Sequence, residues 1–237
     1  KDGSKIKRFM FWLIEYLSAQ RSAKTIACSK GEYEEAAKLS KNSTFVNNGI
    51  DTSELQFFVR PIDGIRKPLK ICTSGRILCQ KNPSLFNEIA KLLPDAEFMW
   101  IGEGELRTAL TSPNIKVTGW IKREEALSII KDVDFFILPS MWEGLPISLL
   151  EAMYLKKICL VSNVIGNRDV IHSGENGLIC NSASDYADAI RKIANGEIDG
   201  RLLSEAAFED VVNNYNIDLM AQKYSKIYKE EFKSKLS

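Results

Sequence analysis

Short apolar runs alternate with stretches of helical spacing from residue 69 to the end of the chain. The runs at 69–74, 96–101, 115–118, 134–138, 158–162 and 178–180 have the length and the glycine, proline or asparagine boundaries of strands. Between them the spacing predicts helices over 84–93, from Glu105, over 123–130, from Pro146, and over 184–194 and 202–213. A last helix is predicted over 217–232. Alternation of this kind is the pattern of a doubly wound, Rossmann-like parallel α/β sheet. No internal repeat or low-complexity tract interrupts it.

Before residue 69 the pattern is different. Ile6, Phe9, Met10, Leu13, Ile14 and Leu17 share one face of a helix entered by Lys5, Lys7 and Arg8. Phe11, Trp12 and Tyr16 make that helix apolar nearly all round. It reads either as a surface that meets a membrane or an acceptor, or as a helix packed in a core that is partly missing. A strand at 24–28 leads into Ser29-Lys-Gly-Glu32, a capping box opening a helix over 33–39. A second strand, 43–46, ends in Asn47-Asn-Gly-Ile-Asp51, and the stretch 52–68, holding Pro61 and Pro68, reads as an interdomain linker.

The run Asp134-Phe-Phe-Ile-Leu138 is followed by Pro139-Ser-Met-Trp-Glu-Gly-Leu-Pro-Ile-Ser-Leu-Leu-Glu-Ala-Met153. Pro146 suits a first helical position, and Ile147, Leu150, Glu151 and Tyr154 follow at helical spacing. The stretch is therefore strand, tight loop, helix, with Glu143 in the loop and Glu151 one turn into the helix. Such a helix start offers backbone N–H groups and a positive dipole end, and Gly144 lets a ligand approach the backbone. Two carboxylates beside an anion site suit a ligand carrying both phosphate and sugar hydroxyls.

Glutamate, seven residues, glutamate, with Pro-Ser before, Gly-Leu-Pro between and Ala-Met after, resembles the signature of retaining glycosyltransferases of the GT-B fold, particularly their family 4. The resemblance covers essentially the whole chain. It implies that 1–51 is the end of an N-terminal acceptor lobe, where a strand-end Ser and an Asn-Gly-Ile-Asp turn are typical. It further implies a linker over 52–68, a nucleotide-sugar donor-binding domain over 69–215, and a helix over 216–237 that crosses back to the first lobe. The Gly-rich loop and the histidine usual in the first lobe have no match in residues 1–50. The opening Lys1-Asp-Gly-Ser-Lys-Ile-Lys-Arg8 has neither an initiator Met nor a secretory pattern, and reads as a chain entered in its middle.

Ligands of open α/β sheets bind outside the carboxyl ends of the strands, where strand order reverses. Gly75-Arg76, Gly102-Glu-Gly104, Gly119-Trp-Ile121, Glu143-Gly-Leu145 and 163–166 all begin at predicted strand ends, so one crevice is expected to gather them. A diphosphate leaving group gains charge as a glycosidic bond breaks, and Arg76 and Lys81 offer a planar fork and a point charge against it. The plain alternative is two surface cations. The family pattern places glycine after this lysine, where the chain has Asn82.

By resemblance, Glu151 binds the ribose hydroxyls and Glu143 contacts the donor sugar or the reaction centre. Gly144 and Leu145 would supply backbone N–H groups, Gly119 to Ile121 would meet the base, and Gly75, Gly102 and Gly104 would line the site. Arg107 stands where the third glycine of a dinucleotide fingerprint would fall, so Gly102-Glu-Gly104 reads as a tight turn and not as an NAD site. His172, the single histidine, reads as a turn residue, and Trp142 either shapes the sugar pocket or packs as an aromatic.

Composition adds exclusions. The chain has 237 residues, 45% hydrophobic and 27% charged, ordinary for a soluble globular protein of one large or two small domains. A net charge of +1 leaves no basic footprint for nucleic acid. The apolar runs are too short to span a bilayer. Five cysteines, odd in number and without metal-ligand spacing, read for the most part as core residues in a reducing compartment. The chain reads as having no Asp-x-Asp or histidine cluster of metal-ligand spacing, and with Arg76 and Lys81 on the diphosphate no metal and no cofactor are expected.

These readings converge on the donor-binding lobe of a retaining hexosyl-type glycosyltransferase. The donor is a nucleotide-sugar, with a UDP-sugar favoured, and the acceptor a glycan or lipid-linked saccharide. The expected setting is cytoplasmic, at the inner face of the membrane. A non-enzymatic nucleotide-sugar-binding module and a UDP-sugar epimerase of the same fold remain open alternatives.

Overall fold

A computed structural model of the chain describes residues 5–60, 64–65 and 67–234. The opening tetrapeptide, Pro61 with its two following residues, Arg66, the last three positions and the side chains of Arg8 and Ser234 lie outside the described residues.

The N-terminal part runs α1 (Lys5–Arg21), β1 (Thr25–Ala27), α2 (Lys30–Ala36) and β2 (Ser43–Phe45), with β1 and β2 paired in parallel. Ser29 caps α2, its Oγ accepting the Glu32 N–H at 3.2 Å. The Glu32 carboxylate reaches past Ser29 to the Cys28 N–H (3.4 Å) and Sγ–H (2.9 Å), one residue further back than a capping box requires. On α1, Phe9, Trp12 and Tyr16 stack at centroid distances of 6.1 and 5.5 Å, yet every apolar residue named above on this helix is exposed.

The stretch that reads as a linker begins folded. Asp51 Oδ1 accepts the Ser53 N–H (2.9 Å) and caps α3 (Thr52–Leu55), and a 3-10 turn follows at Gln56–Phe58. Leu55 is wholly buried in the same core as Phe136 and Leu150. An N-cap acid and one buried leucine draw this segment onto the sheet domain despite its turn-rich composition.

The described strands of that domain are β3 (Lys70–Ser74), β4 (Glu97–Ile101), β5 (Ile115–Val117), β6 (Phe135–Leu138), β7 (Ile158–Ser162) and β8 (Leu178–Cys180). All pair in parallel, in the order β5-β4-β3-β6-β7-β8. The four residues of β6 have no exposed surface, because the strand is central and covered on both faces. Ile71, Phe135, Ile137 and Leu160 pack on one side with α4 (Pro83–Leu92) and α8 (Ala183–Ala194). Cys72, Phe136 and Val161 pack on the other with α5 (Arg123–Lys131), α6 (Ile147–Tyr154) and α9 (Gly200–Asn214). Burying each such side chain stabilises the fold by about 1.5–3 kcal/mol, which is why short continuous runs suffice as strands here.

Three differences from the sequence reading are local. Glu105 opens no helix, only a 3-10 turn at Arg107–Ala109, because the Leu106 N–H is drawn to Ile77 O (3.1 Å). The stretch 164–167, whose sequence reads as a turn, falls largely in the short helix α7 (Ile165–Arg168). Pro146, with ψ 116°, is the N-cap of α6 and not its first helical residue.

α10 (Ile217–Ser234) leaves the domain through a bridge in which Ile50 N–H donates to Tyr215 O (2.8 Å) and Ile217 N–H to Ile50 O (3.0 Å). Further along, Glu231 pairs with Lys24 at 2.8 Å, so the last helix lies against the N-terminal part.

Candidate functional site

The chain passes from β3 outward to β4 and β5, returns to β6 beside β3, and goes outward again to β7 and β8. The loops leaving the carboxyl ends of β3 and β6 therefore part company and open a crevice between them.

Its floor is backbone packed on backbone. The β3–β4 pairing continues past both strands, with Gly75 N–H on Ile101 O (3.0 Å) and Ile77 N–H on Glu103 O (2.9 Å). Gly102 takes φ +138°, and a Cβ there would lie 2.3 Å from Gly75 O, so glycine alone fits. Gly102 also bridges Gly119 and donates its N–H to Thr118 Oγ1 at 3.1 Å. A Cβ on Gly104 would meet Ile77 O at 2.4 Å. The strand-end glycines thus knit three loops to one another.

Lys81 and Glu143 meet on this floor. The 3-10 turn Cys79–Lys81 folds the lysine stem back over Gly75, where a Cβ would stand 3.0 Å from Lys81 Cε. Its Nζ lies 2.7 Å from Glu143 Oε1, with the side chains 15% and 6% exposed. Gln80, which the sequence reading missed, donates Nε2–H to Trp142 O (3.1 Å) and Glu143 Oε2 (3.4 Å). Asn82 sits at φ 53° and caps α4 by accepting the Leu85 N–H (3.3 Å). Asparagine is among the few residues that take this left-handed backbone, so the departure from a Lys-Gly pattern keeps the same turn.

Arg76 is exposed and makes no ion pair among the described residues. Its guanidinium carbon stands 5.9 Å over the exposed ring of Trp120, tying the loop after β3 to the loop after β5. Ile121 is half-buried against the core. Leu145 is buried, and its carbonyl accepts Asn48 Nδ2–H at 3.0 Å. A Cβ on Gly144 would lie 2.6 Å from Glu32 Oε1, and one on Gly166 would lie 2.2 Å from Gly144 O. Gly31 N–H donates to Asp169 Oδ2 at 2.8 Å, just beyond α7. The start of α2 therefore forms a wall of the crevice, and the close approach that Gly144 permits is taken up by Glu32. Burial and the Glu32 carboxylate together push the Cys28 thiol pKa up to about 12.

Glu151 has a partner of its own. Arg123, the first residue of α5, donates Nε–H (3.2 Å) and Nη2–H (2.8 Å) to Glu151 Oε1 and Nη1–H to Glu54 Oε2 (2.7 Å). Burial raises the Glu151 pKa above the ordinary carboxylate value, and the Arg123 hydrogen bond and charge oppose that rise. Arg123 was legible only indirectly, as the residue that opens a helix right after the Gly119–Ile121 loop.

His172 is exposed in the turn before β8, its N–H donated to Asn176 Oδ1 (2.8 Å), away from these groups. Trp142 is partly exposed beside Glu143. The sequence reading counts no Asp-x-Asp, and that is wrong: the triplet Asp132-Val-Asp134 is present, at the amino end of β6, opposite the crevice. There Asp132 pairs with Arg60 (3.3 Å) and Asp134 accepts the Lys70 N–H (2.9 Å). Among the described residues no group of three or more His, Cys, Asp or Glu side chains could hold a metal ion.

The chain is 29% identical over 225 residues to the UDP-Gal:alpha-D-GlcNAc-diphosphoundecaprenol alpha-1,3-galactosyltransferase of Escherichia coli, covering 85% of this chain and 56% of that protein. It is 26% identical over 192 residues to the N,N'-diacetylbacillosaminyl-diphospho-undecaprenol alpha-1,3-N-acetylgalactosaminyltransferase of Campylobacter jejuni, covering 78% and 50%. The chain thus spans about half the length of the curated relatives it matches. Among solved structures, HepE of Anabaena in complex with UDP and glucose superposes with a TM-score of 0.79 at 14% identity, over 92% of this chain and 66% of that one. That likeness establishes the fold, the GT-B type. The Glycosyl transferases group 1 pattern matches residues 57–210, and the chain belongs to that family.

Proposed function

We propose that this chain supplies the donor-binding lobe of a retaining glycosyltransferase that uses a UDP-sugar and needs no metal. The observation that carries the reading is the convergence of Lys81 and Glu143, from loops after β3 and β6, at the switch in strand order. Arg76 stands in the loop after β3, and Glu151 lies one turn into α6, the helix that follows β6.

In this reading a diphosphate draws Lys81 and Arg76 to its oxygens, and Glu143 turns toward the sugar hydroxyls that replace its lysine. Glu151 accepts from the ribose. As the C1–O bond to the diphosphate breaks, its electron pair passes to the leaving oxygen, where the two cations stabilise the charge. The acceptor hydroxyl bonds to C1 on the same face, and its proton leaves with the diphosphate.

Both relatives above carry names that specify diphospho-undecaprenol-linked saccharides, which supports a lipid-linked acceptor. Such an acceptor sits at a membrane face, and α1 offers a way to reach it. No described helix is long and apolar enough to cross a membrane. An exposed aromatic stack entered by Lys5 suits contact with anionic headgroups at the cytoplasmic face.

The test is calorimetric titration with UDP, GDP and ADP in the presence of EDTA. Micromolar binding of UDP is expected. Binding of no nucleotide, or binding only after a divalent cation is added, would overturn the reading.

A further inference from the structure

Glu151 is held in an unusual way for a buried carboxylate. Both hydrogen bonds it accepts come from one guanidinium and end on one oxygen, Oε1. Among the described residues Oε2 accepts none, and the side chain is only 14% exposed. The guanidinium is fixed in turn from its other side, because Nη1 bonds Glu54 on α3. Arg123 is thus clamped between two carboxylates on two different elements. A planar guanidinium can span them, whereas an ammonium cannot make the same fork.

We propose that Arg123 is a positioning residue for nucleoside recognition: it fixes the Glu151 carboxylate through Oε1 and leaves Oε2 to accept the ribose hydroxyls of a nucleoside diphosphate. The inference rests on the donor-site reading of Glu151 above. Its physical basis is preorganisation. Two hydrogen bonds from a cation oppose the pull of burial toward the neutral acid and hold the carboxylate in one orientation. The ribose then meets an acceptor that needs no reordering. Glu54 contributes by holding Arg123 in place, which ties the segment before β3 to the nucleoside end of the crevice.

The experiment compares UDP with 2′,3′-dideoxy-UDP, by calorimetry, on the wild-type chain and on Arg123→Gln and Arg123→Lys. Wild type should bind UDP more tightly than the dideoxy analogue. Arg123→Gln should weaken UDP by about tenfold, as loss of a residue that orients another commonly does, and leave the analogue unchanged. Arg123→Lys should fall between. Equal weakening of both ligands, or no weakening of UDP, overturns the positioning role while the donor site stands. Equal binding of UDP and the analogue by wild type removes the ribose contact itself. No binding of either by wild type overturns the donor reading and this inference together.

Discussion

Lys81 and Glu143, 62 positions apart in the chain, form a 2.7 Å ion pair that is nearly closed to water. One side comes from the loop after β3, the other from the loop after β6, so the pair spans the crevice. Removing one partner leaves a buried charge uncompensated. Lys81→Ala should therefore cost about 3 kcal/mol of stability, whereas Lys81→Ala combined with Glu143→Ala should recover a good part of it. Denaturant midpoints of both single variants and the double variant measure the coupling. Additive losses would show that the pair contributes nothing of its own.

Gly166 packs against the crevice loop at backbone distance. An added Cβ would stand 2.2 Å from Gly144 O and 2.6 Å from Gly144 C, and neither atom can move without shifting the Glu143–Leu145 loop. Gly166→Ala should lower stability by about 3 kcal/mol and weaken nucleotide binding at the same time. Gly174→Ala, where a Cβ meets nothing within 4 Å but φ is +90°, is the matched control. It should cost only backbone strain, about 1 kcal/mol, and leave binding intact.

Burial holds the Glu151 pKa above its ordinary value of 4.5 despite Arg123. The folded state then retains a proton that the unfolded chain releases, so the group opposes folding as pH rises through that interval and is neutral in effect below it. Glu151→Gln should thus be more stable than wild type at neutral pH, and the advantage should vanish below about pH 4. The same variant should bind UDP less well, because the amide is a weaker acceptor for ribose hydroxyls. Thermal melts from pH 4 to 8 and titrations at pH 7 give both halves.

α1 should drive association with vesicles that carry anionic lipid. Each basic residue near such a surface contributes about 1 kcal/mol, so Lys5→Glu should weaken binding by about tenfold, and moderate salt should weaken it too. Trp12→Asp should abolish it, since the ring lies in the middle of the aromatic stack. Co-sedimentation with anionic and neutral vesicles measures this, and indifference to lipid charge would count against the headgroup contact.

Much of this site was legible in sequence because its parts are local. Glu143 and Glu151 lie on one strand–loop–helix unit, and each strand-end glycine follows its own apolar run. What joins those parts is not local. Arg123 reaches Glu151 from 28 positions away, and Gln80 reaches Glu143 from 63. No periodicity encodes such distances. The approach of Glu32 to Gly144 was likewise invisible, since it depends on how α2 meets α7. Asn82 teaches the reverse lesson. It looked like a flaw in a motif, yet its backbone angle shows it doing what glycine does. On α1 the helical spacing was right, but spacing cannot say what covers an apolar surface.

Loops scattered along the sequence are proposed to form one nucleotide-sugar site. Backbone hydrogen exchange with and without UDP, read across the whole chain, tests it most directly. UDP should slow exchange together at 75–82, 102–104, 119–121 and 143–151, and the effect should be lost in Glu151→Ala. Slowing confined to the opposite end of the sheet, such as the hollow of about 410 Å³ lined by Met99, Ile129 and Val133, would contradict the account. So would the absence of any slowing at all.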